Sequence, residues 1–479
     1  MNYKVIGLFI ARILSLEALF LTPALGISVF NKEYPAAKGF LISMGIILLL
    51  AGILYLICRG APSAFRAKEG LACVGVSWIV LSLLGCLPFY FSGEIPSYID
   101  ALFEMVSGFT TTGASVVPNV EVLSKGILYW RSFSHWLGGM GVLVFLLAFI
   151  PASGSVHLLR AESPGPVVSK LVPKMKNSAL LLYGMYIILS VLNLIFLLLG
   201  GMPLFDALCT MFGTAGTGGF GIKADSMAGY SPYLQNVTTV FMLLFGVNFG
   251  CYYLLILRRF KSFFKDEELR LYFGIVFASV VAIAINIYNI YGDIWETLRH
   301  SAFQVASIIT TTGFATADFN LWPTLSKGIL LCLMLVGACA GSTGGGIKCI
   351  RLLLILKGIR KSIQQVMSPR KVVAVRTNDT PVDDSTMAGV NSYLAAYAVI
   401  LVGSFLLISI DGFSVETNVS AVVSCFNNIG PGLDLVGPVG NYSEFGILSK
   451  LILIIDMLAG RLEIFPILAL LSVSFKKSH

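Results

Sequence analysis

The sequence Thr110-Thr111-Thr112-Gly113 determines how this chain can fold, and it recurs as Thr310-Thr311-Thr312-Gly313. In both places the hexapeptide Leu-Ser-Lys-Gly-Ile-Leu follows, at residues 123–128 and 325–330. Both copies lie between long apolar segments, where threonine and glycine are out of place unless their backbone lines a polar path. The repeat therefore makes the chain a candidate ion conductor.

The composition is that of an integral membrane protein with many helices. Of the 479 residues, 56% are hydrophobic and 12% are charged, whereas about a quarter of the residues in soluble domains are charged. Apolar stretches of about 18 or more residues recur, and each is long enough to cross a bilayer. The first one, residues 5–30, contains Arg12 and Glu17, so we expect a membrane span rather than a cleaved signal peptide.

The basic residues are concentrated in alternate connections between the apolar segments. Most of the 33 Lys and Arg residues occur in segments 59–68, 160–176, 258–270, 348–376 and 476–477. The net charge of +8 alone would suit a nucleic-acid partner, but this distribution argues for a membrane lipid environment and against nucleic acid. The positive-inside rule places these segments and both termini in the cytoplasm, which requires an even number of crossings.

Ten membrane-spanning helices fit this charge pattern. The predicted spans are residues 3–30, 37–58, 70–92, 124–150, 178–201, 234–258, 269–291, 325–357, 389–411 and 446–474. Four outer segments share one design, in which a short helix precedes a loop that closes on glycine. These loops end in Thr110 to Gly113, Gly216-Thr217-Gly218-Gly219, Thr310 to Gly313 and Asn427-Asn428-Ile429-Gly430. We expect Asp100 and Asp206 to cap the first two short helices.

The predicted fold is an all-α polytopic membrane protein, with four membrane–pore-loop–membrane repeats around a central pore and two extra N-terminal transmembrane helices. The predicted units are an N-terminal two-helix extension, residues 1–69, and pore repeats at residues 70–150, 178–260, 268–357 and 389–479.

Four loops that meet on one axis would form a ring of carbonyl oxygens, which can replace the hydration shell of a potassium ion. Glycine suits this backbone because residues with a β-carbon resist the required dihedrals. The short helices would point their partly negative C-terminal ends at the ion. The predicted selectivity filter, which binds potassium, comprises Thr110, Thr111, Thr112, Gly113, Thr217, Gly218, Gly219, Thr310, Thr311, Thr312, Gly313, Asn428, Ile429 and Gly430. The alternative is a set of turns that close helix hairpins.

A second motif, residues 337–348, interrupts the apolar span after the third loop. Its three consecutive glycines cannot hold a regular helix, so the sequence predicts a movable barrier. The predicted gating residues there are Gly341, Gly344, Gly345, Gly346 and Lys348. A static kink is the alternative. A nucleotide-binding loop fits poorly, because the lysine comes one position late and no strand precedes it.

Arg461 is the third candidate, because an arginine inside a membrane is costly and usually functional. Facing the pore, it would slow or gate cation flux; alternatively, Asp456 or Glu463 neutralises it in a structural ion pair, and both roles are compatible. We expect His135 to be a packed helix residue rather than a proton relay. The nine cysteines are scattered singly, so we expect them to pack between helices. We find no metal-ligand spacing and no nucleophile constellation, and expect neither an enzyme nor a cofactor.

These residues resemble the Trk/Ktr/HKT superfamily of potassium transporters, in particular the TrkH-type membrane subunits of bacterial Trk systems. The resemblance is carried by the four loops and by the sequences Ser134-His-Trp-Leu-Gly-Gly-Met-Gly141, Ala340-Gly-Ser-Thr-Gly-Gly-Gly346 and Gly460-Arg-Leu-Glu463. It implies that the four closing glycines form the filter, that residues 337–348 form an intramembrane gating loop, and that Arg461 is a pore arginine. It also implies a homodimer and a cytosolic RCK-type regulatory subunit, TrkA-like, that binds NAD or ATP.

The sequence thus predicts potassium uptake across the bacterial inner membrane by a multi-pass protein with both termini in the cytoplasm. Potassium is the transported ion. The rival hypothesis is a symporter that couples potassium to H⁺ or Na⁺, since broken helices also suit secondary transporters.

Overall fold

The fold is almost entirely helical in the computed structural model, which describes residues 3–60, 67–139, 141, 175–370, 373–464 and 467. The first half contains α1 Tyr3–Phe30, α2 Tyr34–Cys58, α3 Ala67–Gly85, α4 Leu87–Phe91, α5 Tyr98–Phe109, α6 Lys125–Gly139, α7 Met175–Leu199, α8 Leu204–Gly216, α9 Pro232–Phe245, α10 Phe249–Ile256 and α11 Phe260–Lys265. The second half contains α12 Glu267–Tyr291, α13 Ile294–Ile309, α14 Thr324–Val336, α15 Cys349–Met367, α16 Asp384–Ile408, α17 Val415–Phe426 and α18 Ile447–Arg461. A small antiparallel hairpin pairs β1 Arg376–Thr377 with β2 Thr380–Pro381.

Several helices are long and apolar enough to cross a membrane. Within the described residues six segments qualify: Tyr3–Phe30, Tyr34–Cys58, Ala72–Phe91, Leu180–Leu199, Glu267–Tyr291 and Asp384–Asp411. Large apolar side chains remain exposed on many of these helices, such as Leu49 on α2 and Phe277 on α12. Exposed apolar faces of this extent are expected where lipid, not water, surrounds the helices.

The remaining predicted spans are shorter or broken. Span 234–258 is not one straight helix: α9 and α10 meet at a bend of 90° around residues 246–248, which the sequence analysis did not anticipate. Span 325–357 is interrupted at residues 337–348, as predicted. For spans 124–150 and 446–474, α6 and α18 cover the first part. Most of the rest of these two spans lies outside the described residues.

The helices of the four predicted repeats follow one another in a closed circle. Each repeat contributes a short helix (α5, α8, α13 or α17) and then a second helix (α6, α9, α14 or α18). Each second helix contacts the short helix of the next repeat: α6 packs on α8, α9 on α13, α14 on α17, and α18 on α5. The short helices are thereby enclosed at the centre, and most of their residues are buried. The division of the chain into five units stays a prediction.

The caps of the short helices differ from our expectation. The hydroxyl of Ser97, not Asp100, caps α5 by accepting from the Asp100 N–H at 3.3 Å. The carboxylate of Asp100 instead accepts from Lys450 Nζ at 2.7 Å, and that of Asp206 accepts from the Tyr230 hydroxyl at 2.9 Å. Both carboxylates therefore hold the short helices to other elements rather than capping the free N–H groups at the helix N-termini.

Candidate functional site

Four loops of the same backbone form follow the short helices; we call residues 110–113, 216–219, 310–313 and 427–430 the closing loops. In each, the residue two before the last glycine has a positive φ, between 55° and 59°, and the glycine is positive again. These residues are Thr111, Thr217, Thr311 and Asn428. Each loop also repeats a hydrogen bond from the residue before the glycine to a carbonyl five residues earlier, as in Thr112 N to Ser107 O at 2.8 Å.

This pattern is a Schellman ending of a helix. Its presence in all four loops shows that the second and fourth sequences, although divergent, adopt the backbone of the two Thr-Thr-Thr-Gly copies.

The last glycines of the closing loops, here called the ring glycines, contact one another in a circle. They are Gly113, Gly219, Gly313 and Gly430. A β-carbon built on each would meet the carbonyl oxygen that precedes the ring glycine of the next loop: Gly218, Thr312, Ile429 and Thr112 in turn. All four distances are under 3.0 Å, so each position excludes any larger residue without displacement of a neighbouring backbone. The sequence residues predicted as the filter are thus brought together.

The side chains of the closing loops make the ring asymmetric. In the first and third loops the outer threonine hydroxyls pair, Thr110 with Thr112 and Thr310 with Thr312, each at 2.7 Å. The second loop has only Thr217, whose hydroxyl donates to the adjacent Gly216 carbonyl.

In the fourth loop, the Asn428 amide donates to Thr112 Oγ1 at 3.0 Å and to Met457 O at 2.9 Å. The fourth loop is therefore joined to the first loop and to α18 by a side chain that neither Thr-Thr-Thr-Gly copy possesses.

A cavity of about 160 Å³ opens on the far side of the ring glycines from the short helices. All four ring glycines line it, together with residues of the outer segments such as Ser115, Ser226 and Tyr442. Its wall includes Val436, in a turn held by Asp434, which accepts hydrogen bonds from the hydroxyls of Ser414 and Thr417. These bonds lower the pKa of Asp434, so the carboxylate that fixes this turn stays ionised.

On the opposite side of the ring lies the glycine-rich loop, residues 337–348, between α14 and α15. Its Gly345 N–H donates to Thr311 Oγ1 at 2.7 Å. A β-carbon on Gly344 would meet Thr310 O, and one on Gly345 would meet Asn427 O. The loop therefore packs directly against the third and fourth closing loops.

The bend between α9 and α10 is hydrogen-bonded to the same glycine-rich loop. Cys339 N donates to Gly246 O at 3.1 Å, and Phe249 N donates to Gly341 O at 3.1 Å. The two breaks satisfy each other's backbone groups, which is what irregular backbone inside a membrane requires.

Glu268, at the start of α12, holds the glycine-rich loop at Ala340 and the first turn of α15 at Ile350; the sequence analysis missed it. Its buried carboxylate accepts from Ala340 N at 2.6 Å and from Ile350 N at 3.0 Å. The available signal was a carboxylate placed next to a long apolar span, but nothing in the sequence linked it to a loop more than seventy residues later.

Arg461 ends α18 beneath the closing loops. Its guanidinium donates to Thr111 Oγ1 at 3.3 Å, to Thr343 O at 2.9 Å, to Gly139 O at 2.8 Å and to Gly138 O. It thereby bridges the first closing loop, the glycine-rich loop and the end of α6.

The two carboxylates proposed as partners of Arg461 make other contacts. Asp456 accepts from Ser404 Oγ at 2.7 Å. Glu463 forms an ion pair with Arg351, which lies in the first turn of α15, the helix after the glycine-rich loop. Lys348, the last residue of that loop, is buried and donates to the Gly344 carbonyl. The gating residues named from the sequence therefore lie in one connected layer.

A buried ion pair between α5 and α6 holds the segment that follows the first closing loop. Nε of Arg131, on α6, is 2.5 Å from Oε1 of Glu104, on α5. The Glu104 carboxylate also accepts from Val116 N at 2.9 Å. The guanidinium lies over the Phe220 ring, 3.6 Å from its centroid. This pair was not singled out from the sequence, although two charges inside apolar segments were a usable signal.

Metal-binding side chains are not clustered: across the described residues no group of three or more His, Cys, Asp or Glu side chains could hold a metal ion. Eight of the cysteines are buried among the helices, and Cys332 is exposed.

Comparison with known proteins gives matches along nearly the whole chain. The model of the TrkH family, described as cation transport protein, matches residues 37–478. The Trk system potassium uptake protein TrkH of Salmonella typhimurium is 35% identical over 450 residues, 92% of this chain and 92% of that protein. The protein of the same name from Halomonas elongata is 33% identical over 485 residues, 99% of each chain.

A solved structure matches the fold. The crystal structure of the potassium transporter TrkH from Vibrio parahaemolyticus matches with a TM-score of 0.90 at 29% sequence identity, and the match covers 100% of both chains. The helical architecture described above is therefore shared with a known membrane transporter.

Proposed function

The chain belongs to the TrkH family of cation transport proteins, and on this premise we propose that it carries potassium ions into the cell through the ring glycines. It is accordingly a multi-pass membrane transport protein and not an enzyme. Its curated relatives are named potassium uptake proteins, which supports potassium as the transported ion.

The observation that carries the proposal is the closed circle of contacts among the ring glycines. Each glycine lies against the carbonyl before the next one, so four backbone segments surround one axis. Carbonyl oxygens arranged around an axis replace the water shell of a potassium ion. The C-terminal ends of four short helices also face this region, and their partial negative charge favours a cation.

The proposed path runs from the outer cavity through the ring and then past the glycine-rich loop. Ions enter the cavity of about 160 Å³ and lose water at the ring. Beyond the ring, Gly344, Gly345 and the Arg461 guanidinium contact the closing loops. These groups form the barrier, and Arg461 adds a positive charge that raises the energy of a cation there.

The barrier can move because hydrogen bonds, rather than a continuous helix, hold it. Opening requires loss of the Gly345–Thr311 bond and of the Arg461 contact with Thr343 O. The Arg351–Glu463 ion pair joins α15 to the segment that follows Arg461. A displacement of α15 would therefore reach both parts of the barrier.

In the proposed function, a cytoplasmic regulatory subunit acts on α15. The C-terminal half of this helix carries Arg360 and Lys361 and extends from the glycine-rich loop. We propose that a TrkA-like RCK subunit that binds NAD or ATP docks here, that two copies of the chain form a homodimer, and that both termini lie on the cytoplasmic side of the bacterial inner membrane.

A flux assay on the purified full-length chain in liposomes tests the proposal. A potassium gradient should drive uptake that sodium does not match, with single-channel currents and no dependence on protons. The rival symporter would show a fixed stoichiometry with H⁺ or Na⁺ and slow turnover. The common outward orientation of the four loops favours the pore, because symporters of this kind commonly use inverted repeats.

A further inference from the structure

The imidazole of His135 lies between the first and second closing loops, although neither loop contains it. The residue is on α6 and its side chain is fully buried. Its Nδ1 is 2.8 Å from Gly108 O, in the last turn of α5. Its Nε2 is 3.3 Å from Phe220 N, the residue directly after a ring glycine.

These two contacts fix the tautomer of the ring. The Phe220 N–H can only donate, so Nε2 accepts and carries no proton. The proton is therefore on Nδ1, which donates to the Gly108 carbonyl, an acceptor only. A neutral imidazole thus links Phe220 N, directly after the second closing loop, to Gly108 O, in the helix that precedes the first closing loop.

The second closing loop needs such an external brace more than the others. Three of its four residues are glycines, Gly216, Gly218 and Gly219, and glycine has the greatest backbone freedom to lose on ordering. Its only side chain, Thr217, bonds to its own loop. The first and third loops have paired threonine hydroxyls, and the fourth has Asn428.

His135 also fills the space that the missing side chains leave. A β-carbon on Gly218 would lie under 3.0 Å from the imidazole. The Phe220 ring packs against the imidazole, with centroids 4.2 Å apart. The imidazole therefore contacts the residues directly before and directly after Gly219.

We propose that His135 is a positioning residue for ion selectivity, which sets the place of Gly219 relative to Gly113 by accepting the hydrogen bond from Phe220 N, while its bond to Gly108 O orients the imidazole. The inference rests on the proposed function of the ring. It differs from a role in packing alone, because it assigns the effect to the hydrogen bond from Phe220 N rather than to the volume of the imidazole ring.

Three variants of the full-length chain separate the two roles, with reversal potentials in planar bilayers giving the K⁺/Na⁺ permeability ratio. His135→Phe keeps volume and removes both bonds, and His135→Asn keeps only the donor to Gly108. For both we expect the ratio to fall about three- to tenfold, as expected for loss of the hydrogen bond from Phe220 N, which neither variant can accept. His135→Gln loses the bond to Gly108 O but places an acceptor near the position of Nε2, so it should retain the ratio within about twofold.

Trp136→Phe is the matched control, because it removes a bond from the neighbouring residue to Ser190 Oγ on α7 and should leave the ratio unchanged. An unchanged ratio in His135→Asn overturns the inference, and so does an equal loss in Asn and Gln variants. If His135→Phe does not reach the membrane, the Asn and Gln pair decides. A wild-type chain without preference for potassium would instead overturn the proposed function itself.

Discussion

The N–H of Gly345 donates a hydrogen bond of 2.7 Å to the hydroxyl of Thr311, which joins the glycine-rich loop to the third closing loop. The equivalent residue of the first loop, Thr111, accepts from Arg461. The same loop position therefore contacts the proposed barrier twice, on opposite sides of the ring. Movement of the proposed barrier would consequently be linked to the geometry of the ring through two threonine hydroxyls.

Replacement of Thr311 by valine should favour the open barrier. Valine has a similar shape but cannot accept the Gly345 N–H, so the closed arrangement loses a hydrogen bond of about 0.5–1.5 kcal/mol. We expect the basal potassium flux in liposomes to rise about two- to tenfold. The matched control is Thr217→Val, whose hydroxyl bonds only within its own loop. A rise of the same size in both variants would contradict this role of Thr311.

Serine in place of Gly113 should weaken discrimination against sodium. Its β-carbon would collide with Gly218 O, so the first and second closing loops must separate. Overpacking costs of about 1–3 kcal/mol predict a fall of about fivefold or more in the K⁺/Na⁺ permeability ratio.

Gly328→Ala provides the control for the ring variant, because a β-carbon there meets no atom within 4 Å. The ratio from reversal potentials should stay at the wild-type value in this variant. Unchanged selectivity in Gly113→Ser, with normal flux, would count against the assignment of the filter.

The sequence predicted the closing loops well because their conformation is local. Glycine at a positive φ and a Schellman ending leave a recognisable residue pattern even where the threonines are replaced, as in Asn427-Asn428-Ile429-Gly430. The ring itself was inferred only from the number of loops. Its order became visible from contacts between residues about one hundred positions apart, such as Gly219 with Thr312.

The sequence could not predict which charged groups meet. Glu463 stands two residues from Arg461 but pairs with Arg351, because the chain turns after α18 and residues 463 and 464 both have positive φ. The bend around residues 246–248 was missed for a similar reason. The backbone groups that the bend leaves without helical partners bond to Cys339 and Gly341, which are far away in sequence.

The carboxylate of Glu268 should determine how firmly the barrier is held. Glu268→Ala leaves the N–H groups of Ala340 and Ile350 buried without their acceptor, at a cost of about 1–3 kcal/mol each. We expect raised basal potassium leak and a lower melting temperature of the purified protein. Glu268→Gln keeps an amide oxygen for these donors and should leave both values near those of the wild type. A Gln variant as leaky as Ala would show that charge, not hydrogen bonding, is required.

Removal of the Arg461 guanidinium should raise potassium flux. Arg461→Ala withdraws a positive charge from the proposed path and frees Thr343 O and Gly139 O, so both the electrostatic and the steric parts of the barrier weaken. Arg461→Lys keeps the charge but cannot reproduce the fork of donors, and we expect an intermediate flux. Flux in liposomes and the melting temperature should be measured together. If Arg461→Ala lowers flux and the protein unfolds more easily, the arginine is a structural tie between α6, α18 and the glycine-rich loop rather than a gate.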